Sequence, residues 1–192
     1  MSDLRVMNYF LGMEIYQFSH GIFLSQKKYA VELLKKFDME KRNLVDTPMV
    51  YNQKFELENG AAKIEVSTYR SLIGSLFYLC ASRPDIIFSV SLLSRFMHAS
   101  SHMHYSAVKR VLRYIRGTVD YGVWFLKQEE GKLMGYVDSD WAGSMQDSKS
   151  TSGYLFSLGS GPFSWSLQKQ GSVAQSTAEA EYITAAASSN QV

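Results

Sequence analysis

The stretch Val108-Lys109-Arg110-Val111-Leu112-Arg113-Tyr114-Ile115-Arg116-Gly117-Thr118-Val119-Asp120-Tyr121-Gly122-Val123-Trp124-Phe125-Leu126 changes its period half-way. Before Gly117 the apolar residues Val108, Val111, Leu112 and Ile115 recur at helical spacing. Gly117 stands where a glycine closes a helix from the C′ position. Beyond it the period becomes two, and Gly122 to Leu126 reads as a strand. The chain thus divides near Asp120, into residues 1–120 and 121–192.

Upstream, Leu11, Met13 and Ile15 alternate within Tyr9 to Tyr16, and Ile22 and Leu24 alternate within Gly21 to Ser25. With Gln17-Phe18-Ser19-His20 between them, these predict a β-hairpin. Tyr29, Ala30, Leu33, Leu34 and Phe37 then recur at helical spacing, with Ser25 placed as the cap. Asp38 to Ser67 has no period and reads as a connecting loop, long for the inside of one domain. A helix follows, with Tyr69, Leu72, Ile73, Leu76, Phe77 and Cys80 as its inner stripe and Thr68 or Ser67 as its cap. Pro84 suits the first turn of the next helix, whose inner face is Ile86, Val90, Leu93 and Met97.

Downstream, Lys132 to Asp138, Gly153 to Leu158 and Phe163 to Leu167 read as strands. Thr177 to Ser189 is alanine-rich and helical, capped by Ser176 or Thr177. The order of elements predicts an α+β fold: a hairpin and helices in the first part, then strands and one helix in the second.

Composition narrows the function. The 192 residues are 46% hydrophobic and 20% charged, with net charge +2, so any basic surface is local. The single cysteine, Cys80, excludes an internal disulfide and a multi-thiolate zinc site, and its apolar setting makes it a core residue. No run of about 18 uncharged apolar residues occurs, so no membrane span is expected. The N-terminus lacks a signal-peptide pattern, so an intracellular location, cytoplasmic or nuclear, is expected.

Acidic residues concentrate in the second part. Asp138 and Asp140, at i and i+2 of a strand end, face one side. Glu179 and Glu181, at i and i+2 of a helix, point about 200° apart, so one at most aims at a shared site. An Asp at a strand end facing a Glu on a packed helix is half of a carboxylate cage for Mg²⁺. In the first part, Lys109, Arg113 and Arg116 share one helix face, Arg110 lies beside them, and no acid interrupts the run. Such a stripe is suited to phosphates. Tyr114 and Trp124 are read as packing residues rather than base-stacking ones. His98, His102 and His104 have no Cys or acid nearby to complete a metal site.

The runs Gly135-Tyr136-Val137-Asp138-Ser139-Asp140-Trp141-Ala142-Gly143, Lys149-Ser150-Thr151-Ser152-Gly153-Tyr154, Phe163-Ser164-Trp165-Ser166 and Ser176-Thr177-Ala178-Glu179-Ala180-Glu181-Tyr182 closely resemble the ribonuclease H region of copia-type LTR retrotransposon polyproteins. Tyr9 to Ile15, Gly21 to Tyr29, Tyr69 to Leu76, Arg83-Pro84-Asp85-Ile86 and Arg113 to Thr118 resemble the same polyproteins after the polymerase centre: the end of the palm, then thumb and connection. The resemblance covers nearly the whole chain in family order.

It implies residues 1–120 as palm end plus thumb and connection, and 121–192 as the start of a ribonuclease H-like mixed sheet. It implies RNA-directed DNA synthesis and RNA cleavage in RNA–DNA hybrids for the intact protein, with Mg²⁺ or Mn²⁺. By motif, Asp138 and Glu181 are the metal-binding catalytic carboxylates, and Asp140 and Glu179 their neighbours. The basic helix residues Lys109, Arg110, Arg113 and Arg116 are implied to touch duplex nucleic acid.

The family's polymerase motif Tyr-x-Asp-Asp does not occur in these residues, and Tyr182 to Val192 hold no Asp, Glu or His. The expectation is therefore an incomplete, catalytically inactive region. Its strand Leu133 to Asp138 should be an open edge, completed by another copy or by the rest of a polyprotein. The alternative expectation is a non-catalytic nucleic-acid-binding module using the Lys109–Arg116 helix.

Overall fold

The computed structural model describes residues 6–191. Its first sheet contains β1 (Tyr9–Phe10), β2 (Met13–Phe18), β3 (Gly21–Ser25) and β4 (Gly122–Leu126), in that order and antiparallel throughout. Two expectations are corrected here. Tyr9 to Tyr16 is not one strand: Leu11 and Gly12 both have positive φ (48° and 77°), so the chain reverses in a two-residue turn and Phe10 pairs with Met13. The second turn is tighter than expected, because Gln17 and Phe18 stay in β2 and Phe18 pairs with Gly21.

The strand Gly122–Leu126, grouped with the second part on sequence, joins the N-terminal sheet. Ser25 pairs with Gly122 and Gly21 with Leu126. The fit requires a bare backbone: a Cβ on Gly122 would lie 2.1 Å from the Leu24 carbonyl oxygen. The salt bridge Lys27–Asp120, at 2.5 Å, closes the corner. Gly122→Ala is therefore expected to cost about 2 kcal/mol through overpacking. It should also speed amide exchange across the β3–β4 ladder, read by hydrogen–deuterium exchange. Unchanged protection of Leu24 and Val123 would refute this.

Helix α1 (Lys27–Lys36) starts after Gln26, with no side-chain cap from Ser25. Gln26 is buried and turns away instead, donating to the Tyr78 carbonyl and accepting from Ser82 Oγ at 2.8 Å. Helix α2 (Val66–Leu79) is capped by Glu65 rather than by Thr68 or Ser67. The Glu65 carboxylate accepts from the amides of Ser67 and Thr68 and from both hydroxyls. These donors hold its carboxyl down at about 2. The cap thus contributes stability above the ordinary glutamate range, near 4.5, and loses it as pH falls towards 2. Glu65→Gln should flatten the fall in melting temperature over that window, measured by circular dichroism.

On α2 and at its C-cap, Tyr69, Leu72, Ile73, Leu76 and Cys80 are buried as expected, whereas Phe77 is 40% exposed and Leu79 is buried in addition. A single 3₁₀ turn, Pro84–Ile86, leads into α3 (Ile87–Ser94). Helix α4 (His102–Gly117) starts with a reciprocal cap between Ser101 and His104. Gly117 is its last helical residue, not the residue beyond it. Thr118 closes the end, its amide bonding to the Ile115 carbonyl and its hydroxyl to the Tyr114 carbonyl. The core lies among these helices: Leu33, Tyr69, Leu72, Leu76, Ile86, Leu93, Val108, Leu112 and Ile115 are all buried. The long connection before α2 is laid over this core, with Met39 and Phe55 buried in it.

The second sheet is a meander of β5 (Leu133–Ser139), β6 (Thr151–Leu158) and β7 (Gly161–Lys169). Both sheets make the molecule α+β, and the second is antiparallel among the described residues. Helix α5 (Thr177–Ser189), capped by Ser176, packs on β5 and β6. On the other side β7 meets the helices: Trp165 Nε1 donates to the Cys80 carbonyl at 3.0 Å and Ser91 Oγ to the Leu167 carbonyl at 2.8 Å. Among the described residues β5 has one neighbour, β6, and its other edge is open.

Candidate functional site

The end of β5 carries Asp138 because its partner strand holds the register as far as Ser139 opposite Ser152. Ser152 Oγ lies 2.6 Å from Thr184 Oγ1 of α5, so Ser152 and its partner Ser139 face the helix. Strand alternation then sends Asp138, one residue earlier, to the opposite face, where it is exposed. Glu181 reaches the same strand end from the helix side: its Oε1 accepts from the Ser139 amide at 3.3 Å. That amide is the N–H of the Asp138–Ser139 peptide. The two residues singled out on sequence therefore converge on one peptide unit, from opposite faces of the strand.

Their acidic neighbours have structural work. Asp140 Oδ1 accepts from the Thr151 amide, locking the start of β6. Glu179 Oε2 accepts from the Gln175 amide at 2.8 Å, while the Glu179 amide donates to Ser176 Oγ, a reciprocal cap of α5. Gln170 adds a support that the sequence reading missed. It is buried, and its Nε2 donates to Ser152 Oγ, to the Ala180 carbonyl and to Thr184 Oγ1, tying the end of β7 to β6 and α5. A glutamine in a polar run gives no sequence signal for such burial.

Carboxylate oxygens are the donors that a hard divalent cation such as Mg²⁺ or Mn²⁺ takes, but here the two carboxylates approach the strand end from opposite faces. Asp138 offers exposed carboxylate oxygens and Glu181 keeps Oε2 outside its amide bond. Ser139 Oγ, at the same strand end, is buried with no hydrogen-bond partner. Mg²⁺ bound through one or two carboxylates completes its shell with water. Among the described residues no group of three or more His, Cys, Asp and Glu is placed to hold a metal ion.

The basic helix is differently disposed. Arg110 donates to the carbonyl and hydroxyl of Thr47, and Arg116 to the Arg42 carbonyl. Both side chains thus pin the long connection to α4. Lys109 Nζ sits 4.5 Å from the centre of the Tyr105 ring. Arg113 is half-buried, and no hydrogen bond or ion pair engages its side chain among the described residues. The four cations therefore do not form one free stripe.

The histidines separate as well. His104 is buried in the helix cap, bonded to Ser101 and against the Glu56 carbonyl. His98 lies 3.2 Å from Arg70. Cys80 is buried, and burial pushes its thiol up to about 12. Tyr114 packs and donates to Asp85, as expected of a packing residue. Trp124 packs against the rings of Phe18, His20 and Phe23 and is 40% exposed.

Over 97% of its length the chain is 41% identical to the retrovirus-related Pol polyprotein from transposon RE2 of Arabidopsis thaliana. Over 96% of its length it is 38% identical to the retrovirus-related Pol polyprotein from transposon TNT 1-94 of Nicotiana tabacum. The chain belongs to the copia-type retrotransposon Pol polyprotein family. It spans 13% and 14% of the length of those two polyproteins. It is also 37% identical over 95% of its length to an uncharacterized mitochondrial protein of Arabidopsis thaliana, of which it covers 75%. No family model and no solved structure matches it. No helix of the described residues is long and apolar enough to cross a membrane.

Proposed function

We propose that this Pol polyprotein region handles the RNA–DNA hybrid, its second sheet supplying the first two carboxylates of a ribonuclease H-type centre. The observation that carries the reading is the hydrogen bond from the Asp138–Ser139 peptide to Glu181. It brings a helix carboxylate to the strand end that bears Asp138. In the intact polyprotein the activities are RNA-directed DNA synthesis and cleavage of the RNA strand. Asp138 and Glu181 are the residues that would hold a divalent cation, which would supply Lewis-acid activation of water and phosphate. The Ser139 amide fixes Glu181, and Gln170 fixes α5 against the sheet that Asp138 ends. Two carboxylates leave a second cation without its own ligands, so the region by itself is inactive or nearly so. Arg113 is the cation of α4 best placed to meet a phosphate, since Arg110 and Arg116 are engaged by the chain itself.

The test is Mn²⁺ binding, followed by electron paramagnetic resonance, beside an RNA–DNA hybrid cleavage assay with Mg²⁺ or Mn²⁺. Asp138→Asn and Glu181→Gln are each expected to weaken Mn²⁺ binding, with hybrid cleavage negligible for this chain. Cleavage that Asp138→Asn abolishes would mean that a second chain completes the centre. Mn²⁺ binding indifferent to both substitutions would refute the assignment. The non-catalytic alternative, duplex binding through α4, predicts steep salt dependence and a loss on Arg113→Ala.

A further inference from the structure

One face of the N-terminal sheet is an uncovered aromatic platform. Tyr16 of β2, Phe23 of β3 and Trp124 of β4 lie directly opposite one another across the three strands. Phe18 and His20 extend the row. Phe23 and Trp124 have ring centres 4.9 Å apart, Phe18 and Trp124 5.4 Å, Phe18 and His20 5.5 Å, His20 and Trp124 6.0 Å, and Tyr16 and Phe23 6.2 Å. The angles between their planes run from 19° to 35°, so the rings form a nearly continuous shallow surface. Tyr16 is 43% exposed and Phe18 49%, where a packed core would bury them. A contiguous apolar patch of this kind marks a binding surface.

We infer that this platform is a stacking site for the unpaired bases of a single-stranded nucleic acid. Its chemistry favours that occupant. Among the residues on this face of the three strands only Leu126 is aliphatic, whereas a protein-docking patch mixes in branched aliphatic side chains. Stacking on flat rings accepts any base, because every base has a π face. Lysines stand at both ends of the row. Lys27 and Lys28 follow β3, and Lys127 follows β4 with its amide bonded to the His20 carbonyl. Lys27 and Lys28 are held by Asp120 and Glu14, and Lys127 has no carboxylate partner among the described residues. The net charge of this fringe is thus +1, complementary to a phosphodiester strand that crosses the row. The site is distinct from the Asp138–Glu181 end of β5 and requires no metal.

The experiment is fluorescence anisotropy of a labelled oligo-dT with the whole chain at low salt, without divalent cations. Phe18→Leu/Trp124→Leu keeps apolar, strand-compatible side chains and removes the π faces. It is expected to weaken oligo-dT binding about tenfold or more, with circular dichroism unchanged. An abasic oligonucleotide of equal length should bind the wild-type chain as weakly as oligo-dT binds the double variant. Equal affinity of the two proteins, or of the two oligonucleotides, would overturn the inference. So would self-association that the double variant abolishes while oligo-dT fails to bind, since the face would then pair two copies. The assay uses neither hybrid nor metal, so failure of the carboxylate assignment leaves it standing.

Discussion

Replacing Arg83 by alanine is expected to destabilise the protein by about 3 kcal/mol, the lower end of the cost of breaking a buried ion pair. Arg83 is 2% exposed, one of the least accessible side chains of the helical part. Its Nε and Nη2 donate to the two oxygens of Asp85 at 2.8 and 2.7 Å, a two-pronged pair. Its Nη1 reaches the Thr118 carbonyl at 2.8 Å and its Nη2 the Thr118 hydroxyl at 2.7 Å. The rings of Tyr114 and Tyr121 stand 5.7 and 5.4 Å from the guanidinium. One side chain therefore fastens the α2–α3 corner to the end of α4, where the chain leaves for β4. Truncation would leave Asp85 with only the Tyr114 hydroxyl and the Thr118 carbonyl with only the Tyr121 amide as donors. Asp85 is 31% exposed and regains some water, which holds the cost at the low end. The measurement is urea unfolding, where the midpoint should fall by about 1–2 M at an unchanged slope. Arg83→Lys should recover little, because an ammonium cannot serve a carboxylate and Thr118 in the same fork. A shift within experimental error for Arg83→Ala would refute the role.

What the sequence made legible follows from the range of the interactions involved. The helices were readable because Leu72, Ile73 and Leu76, or Val108, Val111 and Leu112, repeat within a few residues. Helix caps were less so: Ser67 and Thr68 look like caps by residue type, and only the three-dimensional trace shows their hydroxyls turned onto Glu65. The break at Leu11 was hidden because leucine disfavours positive φ, and Gly12 alone inside an alternating run is a weak signal. Strand β4 was misplaced for a different reason. It pairs with residues about a hundred positions earlier, and no local period reports such a partner. Of the candidate site, Asp138 and Glu181 came from motif, and the bond that joins their elements is a backbone amide, which sequence does not show. The basic run of α4 read as a free stripe because the loop carbonyls that capture Arg110 and Arg116 belong to a segment with no period of its own.

Tyr69→Ala is expected to cost about 4 kcal/mol, within the range for emptying a buried aromatic site. Tyr69 has no accessible surface and stands at the centre of the helical core, on the second turn of α2. Its hydroxyl donates to the Leu93 carbonyl of α3 at 2.8 Å, satisfying a group near that helix's end. The loss thus combines a cavity with one lost hydrogen bond at a carbonyl that keeps the Phe96 amide as a donor. Tyr69→Phe separates the two, since it keeps the ring and removes only the bond, at about 1–2 kcal/mol. Burial also raises the phenol's ionisation well above its ordinary value of 10.0. A raised acid stays neutral in the fold while the unfolded chain ionises. Tyr69 therefore contributes fully below pH 10 and its contribution declines as pH rises beyond it. Urea midpoints of wild type and Tyr69→Phe, compared from neutral pH to above 10, check the sign. The wild-type advantage over neutral phenylalanine should shrink at alkaline pH. An advantage that stays constant there would mean that the phenol is hydrated in the fold, and the helical core would have to be open at α2–α3.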